Sequence, residues 1–327
     1  MLPAVYAAWP LQGGQYVAGV GLNSPYGQST TWDDNGLMKF RAADYGMMRS
    51  ANLNPTLATK LGPNVMAGVG IDILWSDMKF KQSLPWMPMP AGLFGPGSRL
   101  TFEGDGWGYG ANAGVTWQVT PKQRLAVAYR SSISVDYEGD FSIANPPPPG
   151  ALPPTVTPSS DFKMEGVEFP AVLGLGYGVQ VTPAVRVEAN AEWVQHSVNE
   201  KWDIDIKNNN ALLQTAMGST TLPQNWDDTW TFGLGADWQL NKEWMLRGGW
   251  TYLPTPIPSE TLVPVLAEGD KNVLALGLGY KRGAHAVDVA YAYNICDSRD
   301  VTDPMNPASG RYETEAHLAA VSYVLSF

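Results

Sequence analysis

Apolar and polar side chains alternate one by one over long stretches of this chain. In residues 107–119, Trp107, Tyr109, Ala111, Ala113, Val115, Trp117 and Val119 share one face, opposite Gly108, Gly110, Asn112, Gly114, Thr116 and Gln118. Trp230, Phe232, Leu234, Ala236, Trp238 and Leu240 likewise oppose Thr231, Gly233, Gly235, Asp237 and Gln239. Across residues 124–141, Leu125, Val127, Tyr129, Ile133, Val135, Tyr137 and Phe141 fall on one side. Arg124, Arg130, Ser132, Ser134, Asp136 and Glu138 fall on the other. Period two repeated this often predicts strands, not helices. The last nine residues (AAVSYVLSF) set Val321, Tyr323, Leu325 and Phe327 against Ala320, Ser322, Val324 and Ser326. An apolar outer face, a small or polar inner face and an aromatic end suit the closing strand of an outer-membrane barrel. The edge strand of a soluble sandwich is the alternative for that segment.

Connections between the alternating segments alternate in length. Short turns fall near Gln12–Gly14 and near residues 62–64, 121–122, 182–183, 241–242 and 283. Long connections rich in Pro and Asp fall at 24–44, 85–98, 144–161, 207–225, 254–270 and 297–310. Strict short and long alternation is what periplasmic turns and extracellular loops give in a barrel threaded up and down. The expectation is an all-β fold: one antiparallel transmembrane β-barrel domain over residues 1–327. Six short and six long connections join thirteen strands, whereas bacterial single-chain barrels carry an even number. First and last strands would then run in the same direction, so an upward strand is expected before Met1.

Composition fits that picture. Charged residues make up 16% of the chain, with 34 Gly, 13 Trp and 14 Tyr; aromatic girdles and closely spaced strands use such residues. A net charge of −10 argues against a nucleic-acid partner, which needs clustered Lys and Arg. Cys296 is the single cysteine, so no intrachain disulfide or cysteine-based zinc site is expected. No apolar run approaches the roughly 18 residues of a membrane-spanning helix. No secretory signal pattern opens the chain.

An ordered set of motifs resembles the FadL family of outer-membrane transporters for long-chain fatty acids and other hydrophobic compounds. The carrying stretches are 106–118 (GWGYGANAGVTWQ), 124–131 (RLAVAYRS) and 137–139. Supporting them are 19–27 (GVGLNSPYG), 52–61 (NLNPTLATKL), 226–235 (WDDTWTFGLG) and 247–258 (RGGWTYLPTPIP). The resemblance implies a 14-stranded barrel with an N-terminal plug. Here about 13 strands are expected, without the first strand and the plug. It also implies a bacterial outer-membrane location, contact with outer-membrane lipid, a monomeric barrel, no cofactor and no enzymatic activity.

The family's mechanism implies a ligand groove between extracellular loops, a lumen pocket and a lateral exit at a kinked strand. Loop 85–97 (PWMPMPAGLFGPG) is the expected groove. Its Trp86, Met87, Met89, Leu93 and Phe94 form an apolar patch where a water-facing loop needs a reason for one; packing that caps the barrel is the alternative. Pro25, Tyr26 and Gly27 fall where the kink lies, since Pro lacks a ladder donor and Gly tolerates a bend. Charges of both signs are expected on inner faces: Arg130, Asp136, Glu138, Arg186, Glu188, Glu192, Arg247 and Asp288. These form lumenal ion pairs, or else Arg130 and Arg247 hold a ligand headgroup. Where the family can place a cation on the WDDTW strand, this chain has Asp227 and Asp228. Lys79, Lys81 and Gln82 lie on the fifth strand. That departure leaves room for a neutral hydrocarbon as well as a fatty acid. His196, His285 and His317 are far apart, and hydrolase and metalloprotease signatures are absent. A general diffusion porin and a soluble Trp-rich carbohydrate-binding β protein are the competing functions.

Overall fold

The computed structural model describes residues 3–33, 37–40, 42–84, 97–145, 158–207, 219–302, 306 and 308–326. The wall starts with β1 (Val5–Leu11), β2 (Tyr16–Asn23), β3 (Gly27–Thr31), β4 (Tyr45–Lys60), β5 (Val65–Ser83) and β6 (Arg99–Thr120). It continues through β7 (Gln123–Arg130), β8 (Ile133–Ala144), β9 (Ser159–Phe169), β10 (Val172–Gln180), β11 (Val185–Val194) and β12 (Lys201–Ile206). Then come β13 (Thr221–Pro223), β14 (Thr229–Gln239), β15 (Trp244–Leu253), β16 (Lys271–Arg282) and β17 (His285–Cys296). A small hairpin, β18 (Arg299–Val301) with β19 (Gly310–Tyr312), precedes the last wall strand, β20 (Glu315–Leu325).

Eighteen of these strands form one sheet, antiparallel at every pairing between wall strands. Five pairs run end to end (β2/β3, β7/β8, β9/β10, β11/β12, β13/β14), which leaves thirteen wall strands among the described residues. Alternation therefore points β1 and β20 the same way. Each pairs on one edge only, β1 with β2 and β20 with β17. The short turns fall where the sequence predicts them. The long connections carry more strand than expected: β3, β13 and the β18–β19 hairpin all lie within them.

Outward side chains mark the membrane. On β5 and β6, Trp75 stands in register with Trp107, followed by Ile73–Tyr109, Ile71–Ala111, Val69–Ala113, Ala67–Val115 and Val65–Trp117. Trp107 is 58% exposed and Ile71 56%, as lipid-facing groups are when lipid is not counted. Ten steps from Trp107 to Trp117, at about 3.4 Å each and tilted about 40°, give a band roughly 25 Å tall, the height of a barrel's apolar belt. Above Trp75 and Trp107 the same face turns charged, with Asp77 beside Asp105 and Lys79 beside Glu103. On β20, Val321, Tyr323 and Leu325 face outward as expected, 49–75% exposed.

One facing assignment reverses. Ile133, Val135, Tyr137 and Phe141 are buried inside, while Asp136 and Glu138 lie on the outer face above the membrane. Asp136 pairs there with Lys163 at 3.1 Å. The cause is register. Asn112 pairs with Arg130 on β7, but Asp105 pairs with Glu138 on β8, one residue out of step. A one-residue slip turns every later side chain to the opposite face. Between those rungs no ladder joins β6 to the next strand; β8 instead crosses the inner face of β6. A Cβ at Gly106 would lie 2.1 Å from the Asp136 carbonyl oxygen, and one at Gly108 2.5 Å from that of Ser134. The GWGYG motif exists to admit that crossing.

The inward residues of the upper wall meet in one apolar cluster. Tyr137, Phe141, Phe162, Leu74 and Met78 are each at most 1% exposed, and Trp202, Ile204 and Ile206 close its far side. The Tyr137 hydroxyl donates to Ser76 Oγ at 2.8 Å. A second cluster, with Ile257, Leu262, Val301 and Tyr312, lies in the connections around β18 and β19. It reaches the opposite wall, where Gln28 and Thr30 on β3 donate to the Val265 carbonyl. The upper lumen is packed; the lower lumen is lined by small and charged side chains.

Candidate functional site

The second wall strand breaks at Ser24, Pro25 and Tyr26. Asn23 pairs with Asn52 and Gly27 with Arg49, so three residues on one side oppose two, Ser50 and Ala51, on the other. Pro25 offers no N–H, and the extra residue bends the strand. A side chain replaces the lost ladder: the Tyr26 N–H donates to Ser50 Oγ at 3.0 Å, and the Ser50 hydroxyl donates back to the Tyr26 carbonyl. On the far edge β1 reaches only Leu22. The Tyr26 ring turns inward and stacks on Phe169, with centroids 4.4 Å apart. Phe169 ends β9, beside the Pro170–Ala171 interruption of another wall strand.

Under this break lies a pocket of about 580 Å³ lined by Pro25, Tyr26, Asn112, Arg130, Val172 and Glu192, with a floor of smaller residues. Register explains the floor. Ala58, Gly68, Gly114, Ala128, Gly174 and Glu192 are consecutive partners across six wall strands. Five of these carry a methyl group or a hydrogen, so the wall recedes and leaves space. Glu192 is the sixth.

Arg130 is held from above. Its Nε lies 3.5 Å from Asp72 Oδ2, and Asp72 is fully buried. The side-chain amides of Asn52, Asn54 and Asn112 donate to the same carboxylate at 2.7, 3.1 and 2.7 Å. A buried charge needs such partners, because an isolated one is costly. Other charges pair lower in the lumen: Arg186 with Glu188 at 2.8 Å, and Arg247 with Asp288 and, at 3.6 Å, Asp237.

The structure thus gathers Pro25, Tyr26 and Arg130 around one pocket, with Gly27 opening β3 just above. Arg247 does not line it and is engaged by two carboxylates. Trp86, Met87, Met89, Leu93 and Phe94 lie outside the described residues. Lys79 and Lys81 point outward above the membrane, where Lys79 pairs with Glu103. Asp228 accepts the Ser197 N–H at 2.9 Å, next to a half-buried His196. Burial pushes the His196 imidazole down to about 4, only partly offset by Asp228. Sequence reasoning did not single out Asp72 or the small-residue rung. Asn52, Asn54 and Asp72 look like ordinary inward polar positions until register brings them together.

The family model described as outer membrane protein transport protein (OMPP1/FadL/TodX) matches residues 1–327. A long-chain fatty acid transport protein of Escherichia coli O6:H1 is 24% identical over 332 residues, covering 92% of this chain and 71% of that protein. Among solved structures, a Pseudomonas aeruginosa FadL homologue superimposes with a TM-score of 0.78 at 20% identity, covering 98% of this chain and 76% of the other. The Ralstonia pickettii toluene transporter TbuX gives 0.72 at 19% identity, covering 99% and 80%. At these identities the two structures speak for the fold.

Proposed function

Because the chain belongs to the outer membrane protein transport family (OMPP1/FadL/TodX), we propose that it is a passive route for hydrophobic molecules across the bacterial outer membrane. Members of this family are transport barrels, not enzymes. The observation that carries the reading is the wall break at Pro25–Tyr26 standing directly over the inner pocket. A ligand resting in that pocket has the bilayer beside it, and leaving an apolar site for acyl chains costs little. Crossing water would cost far more.

In this reading the loop residues Trp86, Met87, Met89, Leu93 and Phe94 receive the ligand first. Arg130 borders the pocket, and Pro25, Tyr26 and Gly27 frame the lateral exit. Arg247 stiffens the lower wall through its two ion pairs. Relatives are named for long-chain fatty acids and for toluene, so both define the range to test. Outer-membrane lipid is the partner of the outer face, and the barrel works as a monomer. The packed upper lumen speaks against a general diffusion porin, which needs a continuous wet bore. The lipid-type outer band speaks against a soluble carbohydrate-binding protein.

Uptake of labelled oleate and labelled toluene by cells lacking their own transporter tests the proposal. Expression of the chain should raise uptake of at least one over an empty vector, and Gly27→Trp should abolish the gain while leaving a folded barrel. No gain for either ligand refutes it.

A further inference from the structure

The pocket's charge balance has a direct bearing on what can rest there. Arg130 is the cation that lines it, and Arg130 already faces the fully buried Asp72, which also takes three amide donors. Glu192 has no ion pair or hydrogen bond among the described residues. Its side chain leans over Gly174, where an added Cβ would sit 3.8 Å from Glu192 Cγ and 3.9 Å from its Oε1. The remaining five members of that rung are Gly or Ala. No neighbouring side chain on the rung is long enough to screen the carboxylate from a molecule on the floor. Asp72, Arg130 and Glu192 together leave the pocket one negative charge in excess.

We infer that Glu192 is a specificity-determining residue of the lumen path, admitting uncharged hydrophobic molecules and turning carboxylates away. The inference rests on the transport reading and deepens it. A carboxylate entering the pocket meets Glu192 with no side chain of the rung between them, and like charges at that range repel. To bind Arg130 instead, it must share the guanidinium with Asp72, whose carboxylate already faces it at 3.5 Å and offsets its charge. An alcohol or an arene meets neither cost. A hydroxyl can also donate to Glu192.

Photoaffinity labelling of the purified chain in detergent micelles tests this with a matched pair: dodecanol and dodecanoate, each carrying a diazirine on the chain. At about pH 8 the probe acid is ionised, and adducts on Tyr26, Arg130 and Val172 are mapped by mass spectrometry. Lumen adducts should favour the alcohol by roughly tenfold or more. Glu192→Gln should bring that ratio down towards one, and Glu192→Lys should invert it. Heat-shifted gel mobility establishes that each variant is folded. Equal lumen labelling by both probes in the parent chain, or a ratio indifferent to Glu192→Gln, overturns the inference and leaves transport standing. Absence of lumen adducts from either probe, with labelling confined to the outer wall, overturns the transport reading as well.

Discussion

Asp72, fully buried, and His196, half-buried, show how much a single polar group decides in this wall. The Asp72 carboxylate holds Arg130 and three asparagine amides from inside the barrel. Asp72→Asn keeps the shape but leaves Arg130 without its counter-charge. The expected loss is roughly 2–3 kcal/mol, the usual worth of charge-assisted hydrogen bonds, measured by urea unfolding of the purified barrel in detergent. His196 makes a pH prediction. Its folded value lies near 4 against an ordinary 6.5, so the unfolded chain takes up a proton before the folded one does. Stability from this site is complete above about pH 6.5 and declines as pH falls towards 4. Unfolding midpoints should therefore drop between pH 7 and pH 4.5, and less steeply in His196→Gln; equal slopes would contradict the burial argument. The residue scale is also where the sequence is least legible. Arg130 and Tyr26 are visible as candidates from motif and position, but their partners sit on strands far away in the chain. Glu192 looks like any inward acid until register lines up five small residues beside it.

Strand existence, turn positions and lipid-facing sides were largely legible, because alternation is the direct imprint of a wall with one side wet and one side in lipid. The alternation in β6, β14 and β20 faces the way the sequence predicts. It misleads in β8 for a definite reason. The slip between Arg130 and Glu138 changes the facing without changing the parity of the apolar positions. Ile133 and Val135 continue the odd-numbered pattern of Leu125 and Val127, yet they point the other way. A clue was present in the GWGYG run, which leaves alternate positions of β6 without side chains under the crossing strand. Gly106→Val should cost about 3 kcal/mol, at the upper end of overpacking penalties, since even a Cβ would overlap the Asp136 carbonyl. Gly62→Ala is the control, because nothing lies within 4 Å of a Cβ there. Its unfolding curve in detergent should match the parent's; a Gly106→Val variant equally close to the parent would mean that β8 does not cross where it is drawn.

At the scale of the whole barrel, the lumen is two compartments in series, and the pairing of the second wall strand is interrupted at their junction. Above, Tyr137, Phe141 and Phe162 are packed out of contact with solvent. Below, glycine and alanine rungs leave room for a ligand and for water. Tyr26 belongs to both, stacking on Phe169 at the base of the apolar cluster while lining the pocket. On the proposed route a hydrophobic molecule dissolves among those side chains as they part and leaves sideways. Hydrated ions have no comparable path, since stripping their water is prohibitive. Phe141→Ala combined with Phe162→Ala should therefore raise single-channel conductance severalfold over the parent barrel in planar bilayers, because it empties the seal without touching the wall break. The comparison between variant and parent isolates the seal from any leak at the β1–β20 edges, which both share. Equal conductance would locate the ionic barrier elsewhere, and a parent that already conducts like a wide aqueous pore would return the molecule to the diffusion porins.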